Sequence, residues 1–481
     1  VDPSKPSRGA MWRLWLLIGF ARAQVYKFEK EAVPESKSLN LLYVYFLSAE
    51  GQTPNVTKAP PYVEFRGLTV TSTDPAKSDE SLKGYQGFQI HMIRYEDLWN
   101  LVDTSRMCSN TEDVQQGLSK KEDHLILKRS PGQSLESVHV YRHQVSFYQK
   151  EPDEKQLVQG RGVYFLVLSN CGSFDKATIS GEVVVRNSHG FLPGNEYQKM
   201  PFYGILAALC LGIFLVWSLL CLRWWKVLFN IHLAIGFVTF LGILESAVWF
   251  FYLSAWNKDG LASKPFFSIS VLVSVTKSTL SYMLVLSACL GWGVTKPILD
   301  GGTICRISCI SIVYIILNVV REVVLSFRHT QSVPIPFVLL CLLPVSMMNG
   351  GIFYWIFSAL TNLMETLEAQ GQKAKLALFK RLWWILVLSI TFAVVVLLAQ
   401  IFVFANDAEA RWQEQWLVTD GAPQGGFLFI LLAIMWLWAP NEDSQRFAYS
   451  AQLDEEQEGM GSVEKAEVMS NEDVDVIGAR G

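Results

Sequence analysis

Seven apolar runs between Phe202 and Pro440 decide most of what this chain can become. They cover 202–222, 229–253, 267–293, 304–326, 335–362, 380–404 and 424–439. Crossing a hydrocarbon core of about 30 Å as a helix takes about 20 apolar residues. A soluble fold has no reason to repeat such runs so regularly, so they read as seven transmembrane helices. Several exceed the minimum and should tilt or project beyond the bilayer. Composition agrees, with 51% hydrophobic and 18% charged residues. Many of the 16 Trp stand near run ends, among them Trp224, Trp256, Trp292 and Trp438. Indole rings favour the headgroup level. A net charge of −3 gives no reason to expect a nucleic-acid partner.

Residues 1–10 precede a candidate initiator, Met11, and are set aside as an upstream extension or expression leader. Residues 11–23 read as a signal peptide: Arg13, the apolar stretch 14–20, then Ala21-Arg22-Ala23 as a small-x-small cleavage site. Everything from Gln24 to the first span then faces the lumen or the outside.

Residues 24–200 alternate instead of running apolar. Segments 41–47, 62–70, 86–95, 137–148, 162–169 and 178–185 are short, rich in β-branched and aromatic residues, and bounded by turn residues. That is the pattern of an all-β sandwich. Residues 73–83 and 149–156 read as polar loops, and 97–125 as a short helix with a loop. Of the eight cysteines only Cys108 and Cys171 lie here. Two thiols in one small domain of an oxidising compartment are expected to form a disulfide. The other six lie in or beside the spans, where a thiol serves as a small apolar side chain. Asn55-Val56-Thr57 is the domain's glycosylation sequon, making Asn55 the expected glycan site.

Basic residues orient the spans. With residues 24–200 luminal, nine fall in the cytosolic set, including Arg223, Lys226, Arg306 and Lys373. Four fall in the luminal set: Lys258, Lys264, Arg328 and Arg411. The bias places the C-terminus in the cytosol. The tail, 441–481, carries eleven acidic residues and reads as disordered and solvated. A cytosolic adaptor docking on it is the functional alternative.

The chain resembles a known family through GVYFLVLSNC at 162–171, ISGEVVVRNSHGFLPG at 179–194, FLGILESAVWF at 240–250, GWGVTKP at 291–297 and WAPNEDSQRFAY at 438–449. In that order these motifs are similar to the lung seven-transmembrane receptor family, also called the GOLD-domain seven-transmembrane proteins, and within it to the transmembrane protein 87 branch. The resemblance implies a luminal GOLD-like β-sandwich (24–200) on a seven-helix bundle (201–440). It implies a multi-pass Golgi membrane protein in endosome-to-Golgi retrieval, with the luminal domain meeting a cargo or partner protein. It also implies two alternatives, a pH-sensitive cation conductance or lipid carriage by the bundle, with membrane lipids as partners. The luminal loops between spans hold no Cys, so a disulfide from sandwich to helices, associated with this branch, is not available.

No catalytic set, Gly-rich phosphate loop, nucleophile elbow or metal-ligand spacing stands out. The chain is expected to be no enzyme and to need no cofactor or metal. His139 and His143, four apart in a strand, would lie about 13 Å apart. A G-protein-coupled receptor ranks lower. The third span ends Gly291-Trp292-Gly293, with no acidic-Arg-aromatic triplet, and Trp436–Asn441 offers no N-P-x-x-Y counterpart.

Polar residues inside the spans carry the functional expectation, because charge at depth is costly and finds a partner or a cavity. Glu245 in the second span and Lys277 in the third fall at nearly one depth on antiparallel neighbours. They are expected to pair beside a polar cavity open toward the lumen, with Arg321, Glu322 and Gln400 near its mouth. The cavity would be a conduction vestibule or a lipid-headgroup site, unless the pair is purely structural. Asn349-Gly350-Gly351, after Pro344, suggests either a weakened helix or, preferred, close helix packing by small residues.

Overall fold

The computed structural model describes residues 24–47, 60–73, 86–101, 107–116, 122–126, 140–150, 152–172, 176–293, 295, 299–328, 335–404 and 411–440. The signal segment, Asn55 and the acidic tail lie outside the described residues.

Among the described residues, eight strands form the N-terminal sandwich: β1 Val25–Ala32, β2 Ser38–Leu47, β3 Tyr62–Ser72, β4 Gln86–Arg94, β5 Val140–Ser146, β6 Glu154–Leu157, β7 Gly162–Asn170 and β8 Ala177–Arg186. Two antiparallel sheets result, ordered β1-β8-β3-β6 and β2-β7-β4-β5. Inward side chains such as Phe65, Phe88, Phe147 and Tyr164 are fully buried between them. Each such side chain contributes on the order of 2 kcal/mol by leaving water.

Two strands depart from the sequence reading. β1 (VYKFEKEA) is charged on one face, and β6 begins within the expected loop 149–156 and runs one residue past it. Both are edge strands. Edges carry charge, which hides the apolar alternation and blocks pairing with other chains. The stretch 97–125 holds parts of two short helices, Tyr95–Leu101 and Thr111–Gln115, not one. Cys108 and Cys171 form the expected disulfide, with Cα atoms 5.4 Å apart. It ties the stretch around Thr111–Gln115 to the end of β7.

Among the described residues, seven helices are long and apolar enough to cross a membrane. They are α1 Lys199–Arg223, α2 Asn230–Asp259, α3 Lys264–Cys289, α4 Gly301–Arg328, α5 Ile335–Ala369, α6 Lys373–Ala399 and α7 Ala422–Leu437. Two π-helical turns flank the last connection: Gln400–Phe404 continues α6 and Leu417–Gly421 leads into α7. α5 runs unbroken past Pro344. A Cβ at Gly350 or Gly351 would meet nothing within 4 Å, so no described helix packs there and the expected close contact is absent.

Two apolar clusters fill the bundle. One lies toward the sandwich and includes Tyr203, Leu206, Tyr252 and Trp256. The other fills the far end, around Ile231, Ile235, Leu286 and Phe379.

Among the described residues, the sandwich is fastened to the bundle at two places. At the end of α2, Asn257 Oδ1 accepts from Leu192 N (3.1 Å), while its Nδ2 donates to His189 O (2.9 Å). Gly190 passes so close that a Cβ would lie 2.3 Å from Asn257 Oδ1. Its φ of +135° also suits glycine. The second fastening is Trp412, between α6 and α7, which packs into the sandwich against Phe46 and Val163.

Candidate functional site

Glu245 lies fourteen residues before the end of α2, and Lys277 thirteen after the start of α3. At about 1.5 Å per residue both fall roughly 20 Å from the sandwich-side ends of their helices. Antiparallel neighbours therefore bring the two charges level. Lys277 Nζ stands 2.8 Å from Glu245 Oε2, and both side chains are 4% exposed.

The pair is completed by α7. Lys277 Nζ donates to Gln424 Oε1 (2.8 Å), and Gln424 Nε2 donates to Glu245 Oε1 (3.2 Å). Lys277 Nζ also lies 3.6 Å from the centre of the Phe427 ring. One amide with both a donor and an acceptor end suits a site flanked by opposite charges, and the ring face attracts the ammonium. Three helices are thus held by a closed, charge-balanced circuit. Breaking such a buried pair costs about 3–5 kcal/mol.

A second polar cluster sits nearer the sandwich. Lys199 Nζ is 3.0 Å from Glu196 Oε2 and 2.9 Å from Asp420 Oδ2. Asp420 also accepts from Tyr203 OH (2.9 Å) and Thr419 Oγ1 (2.7 Å). Tyr203 stacks on Trp249, whose Nε1 donates to Ser274 Oγ (2.9 Å). Asp420 belongs to the π-helical turn before α7, one turn ahead of Gln424. An extra residue per turn re-aims side chains and recurs at functional sites. Counting both clusters, three carboxylates face two ammonium groups, and the one surplus formal negative charge belongs to the cluster nearer the sandwich.

The other expected site residues stand elsewhere. Arg321 and Glu322, neighbours on α4, pair with each other at 2.7 Å and are about a quarter exposed. Gln400 is exposed on its helix. No hydrogen bond or ion pair joins any of the three to Glu245 or Lys277 among the described residues. The near-complete burial of the pair also differs from a cavity open to solvent.

Lys199, Tyr203, Asp420, Gln424 and Phe427 escaped the sequence reading. Gln424 opened the shortest apolar run, and Lys199 and Asp420 fell just outside runs, where charge attracts no notice. The available signal was Asp420-x-x-x-Gln424: two polar residues one helical turn apart at the head of a span.

A family model described as "GOST, seven transmembrane domain" matches residues 198–445, slightly more than half of the chain. The chain belongs to the GOST seven-transmembrane family. Among its relatives, Transmembrane protein 87A of Xenopus tropicalis is 29% identical over 296 residues, covering 61% of this chain and 54% of that protein. Transmembrane protein 87B of Homo sapiens is 25% identical over 374 residues, covering 76% and 62%. Membrane protein PTM1 of Saccharomyces cerevisiae is 25% identical over 311 residues, covering 62% and 58%. The matched chain spans less than two thirds of the length of each of these relatives. The GOST match takes in α1–α7, and with them Lys199, Glu245, Lys277, Asp420 and Gln424.

Proposed function

We propose that this GOST-family chain is a multi-pass Golgi membrane protein acting in endosome-to-Golgi retrieval, with the sandwich as a luminal cargo or partner module. One observation carries the reading. In this reading the seven candidate spans among the described residues set the sandwich and the residues after α7 on opposite faces of one membrane. Retrieval needs that arrangement, because cargo is met in the lumen while the transport machinery is cytosolic. The basic-residue bias supports a luminal sandwich. Trp412 and Asn257 support its acting together with the bundle, since they fix the module to membrane helices instead of leaving it on a free tether. Depletion tests the reading, followed by imaging of the protein and of a recycling retrieval marker. Golgi residence with delayed marker return is expected. Steady plasma-membrane residence with normal recycling contradicts it.

The Glu245–Lys277–Gln424 circuit favours a second reading, in which the bundle conducts cations or carries a lipid. In that reading the circuit is the closed state, opened when a cation competes for Glu245 or an anionic headgroup for Lys277. Reconstitution in planar bilayers at luminal pH values tests it. Current or bound lipid altered by Glu245→Gln supports the reading, and a bilayer that stays silent with no co-purified lipid removes it.

A further inference from the structure

Six cysteines stay outside the disulfide, and exposure separates them. Cys210 and Cys289 are buried, Cys221 and Cys341 half-buried, and Cys305 and Cys309 exposed. The exposed two lie four residues apart in the first turns of α4, so they share one helix face. The same face continues through Ile312, Ile316, Val320 and Val323, each about half exposed. That spacing is one stripe along a helix. Between Cys309 and Val323 it runs roughly 21 Å at about 1.5 Å per residue. Arg306, exposed beside Cys305, suits a headgroup position at this end of the helix. Two accessible thiols therefore stand at a helix end, at the head of an apolar track that no described helix covers.

We propose that Cys305 and Cys309 are S-acylation sites that take a long-chain acyl group from acyl-coenzyme A. Cysteines beside a membrane helix end are acceptors of this kind. The cysteine thiolate adds to the thioester carbonyl, and the bond from that carbonyl to the coenzyme A sulfur breaks. A new thioester forms on the cysteine, and coenzyme A leaves as a thiol, taking up the proton the cysteine gave. No oxidant or reductant enters. The attached chain lies along Ile312–Val323, and hydrolysis of the thioester reverses the anchoring. The proposal rests on the sidedness given above, because acyl-coenzyme A is cytosolic and α4 must begin on that face. Cys341, near the sandwich-side end of α5, and Cys221, packed against the far core, are internal controls.

The test uses the full chain in eukaryotic cells fed an alkynyl long-chain fatty acid. Hydroxylamine-sensitive label is expected on the parent. It should fall in Cys305→Ser and in Cys309→Ser, vanish in the double variant, and persist in Cys221→Ser and Cys341→Ser. Absence of thioester label on the parent, or undiminished label on the double variant, overturns the proposal. A glycosylation sequon inserted between α3 and α4 reads sidedness separately. Glycosylation there refutes the sidedness. An unglycosylated loop together with an unlabelled parent refutes acylation alone.

Discussion

Lys199 and Asp420 meet at 2.9 Å and join the first spanning helix to the turn before the last. Glu196 shares the ammonium, and Tyr203 and Thr419 share the carboxylate. Removing the cation leaves two carboxylates facing each other, with Lys199 and Glu196 side chains only 14% and 12% exposed in the parent. Lys199→Ala should therefore cost about 3 kcal/mol. Asp420→Asn keeps an acceptor for Tyr203 and leaves Lys199 its partner Glu196, so it should cost about 1 kcal/mol. Thermal unfolding in detergent measures both, and equal losses contradict the arrangement.

Trp412 carries the apolar half of the connection between sandwich and bundle. Its ring lies 5.7 Å from that of Phe46, and a Cβ on Gly194 would come within 2.8 Å of it. Trp412→Ala should cost about 3–5 kcal/mol. Gly194→Val should push the ring out without removing it. Hydrogen exchange should rise in β2 and β7 in both variants and stay unchanged at the far end of α2. Unchanged protection in β2 would show that Trp412 does not hold the sandwich.

The seven helices were legible because membrane crossing imposes length and apolarity together. Their ends were less so: α2 runs to Asp259 and α5 to Ala369, past the apolar runs, because helices project beyond the hydrocarbon. The Glu245–Lys277 pair could be read from sequence because helix rise converts position into depth. Gln424 could not, since a single amide at the head of a span gives no sign of what it faces. Asp420 depends on a π-helical turn, and nothing in LVTDG announces one. Arg321, Glu322 and Gln400 share polarity with the residues of the buried circuit, but rotation about the helix axis decides where a side chain points. Apolarity all round a span leaves that rotation unspecified.

His91 predicts how the sandwich responds to acid. It is fully buried; Nε2 meets Ser169 Oγ at 3.1 Å, and Nδ1 has no partner among the described residues. Burial, with the charges of Arg142 and His124 nearby, holds it well below the usual 6.5. The folded state therefore keeps it neutral while the unfolded chain takes up a proton below about pH 6.5. Stability should fall as pH drops below that value, by up to about 1.4 kcal/mol per unit from this residue. His91→Gln should flatten the decline between pH 6.5 and 5. Parallel melting curves for variant and parent would remove His91 as the cause.

The Cys108–Cys171 bond closes a span of 63 residues. A loop of that length confers roughly 4 kcal/mol in the chain-entropy account. Reduction, or Cys108→Ser with Cys171→Ser, should lower the sandwich melting transition and expose the stretch around Thr111–Gln115 to proteases. The helix transition should stay in place. An unmoved sandwich transition would deny the disulfide its structural role.

Charge exchange across the pair tests most directly whether one buried circuit organises the bundle. Glu245→Lys and Lys277→Glu each place like charges at 4% exposure, and each should cost about 3 kcal/mol or more in detergent-solubilised protein. The double variant should regain most of that loss, because the Gln424 amide can turn to serve the reversed pair. Recovery should stop short of the parent, because the ammonium no longer sits over Phe427. Single variants as stable as the parent, or a double variant as damaged as the sum of the singles, would contradict the account.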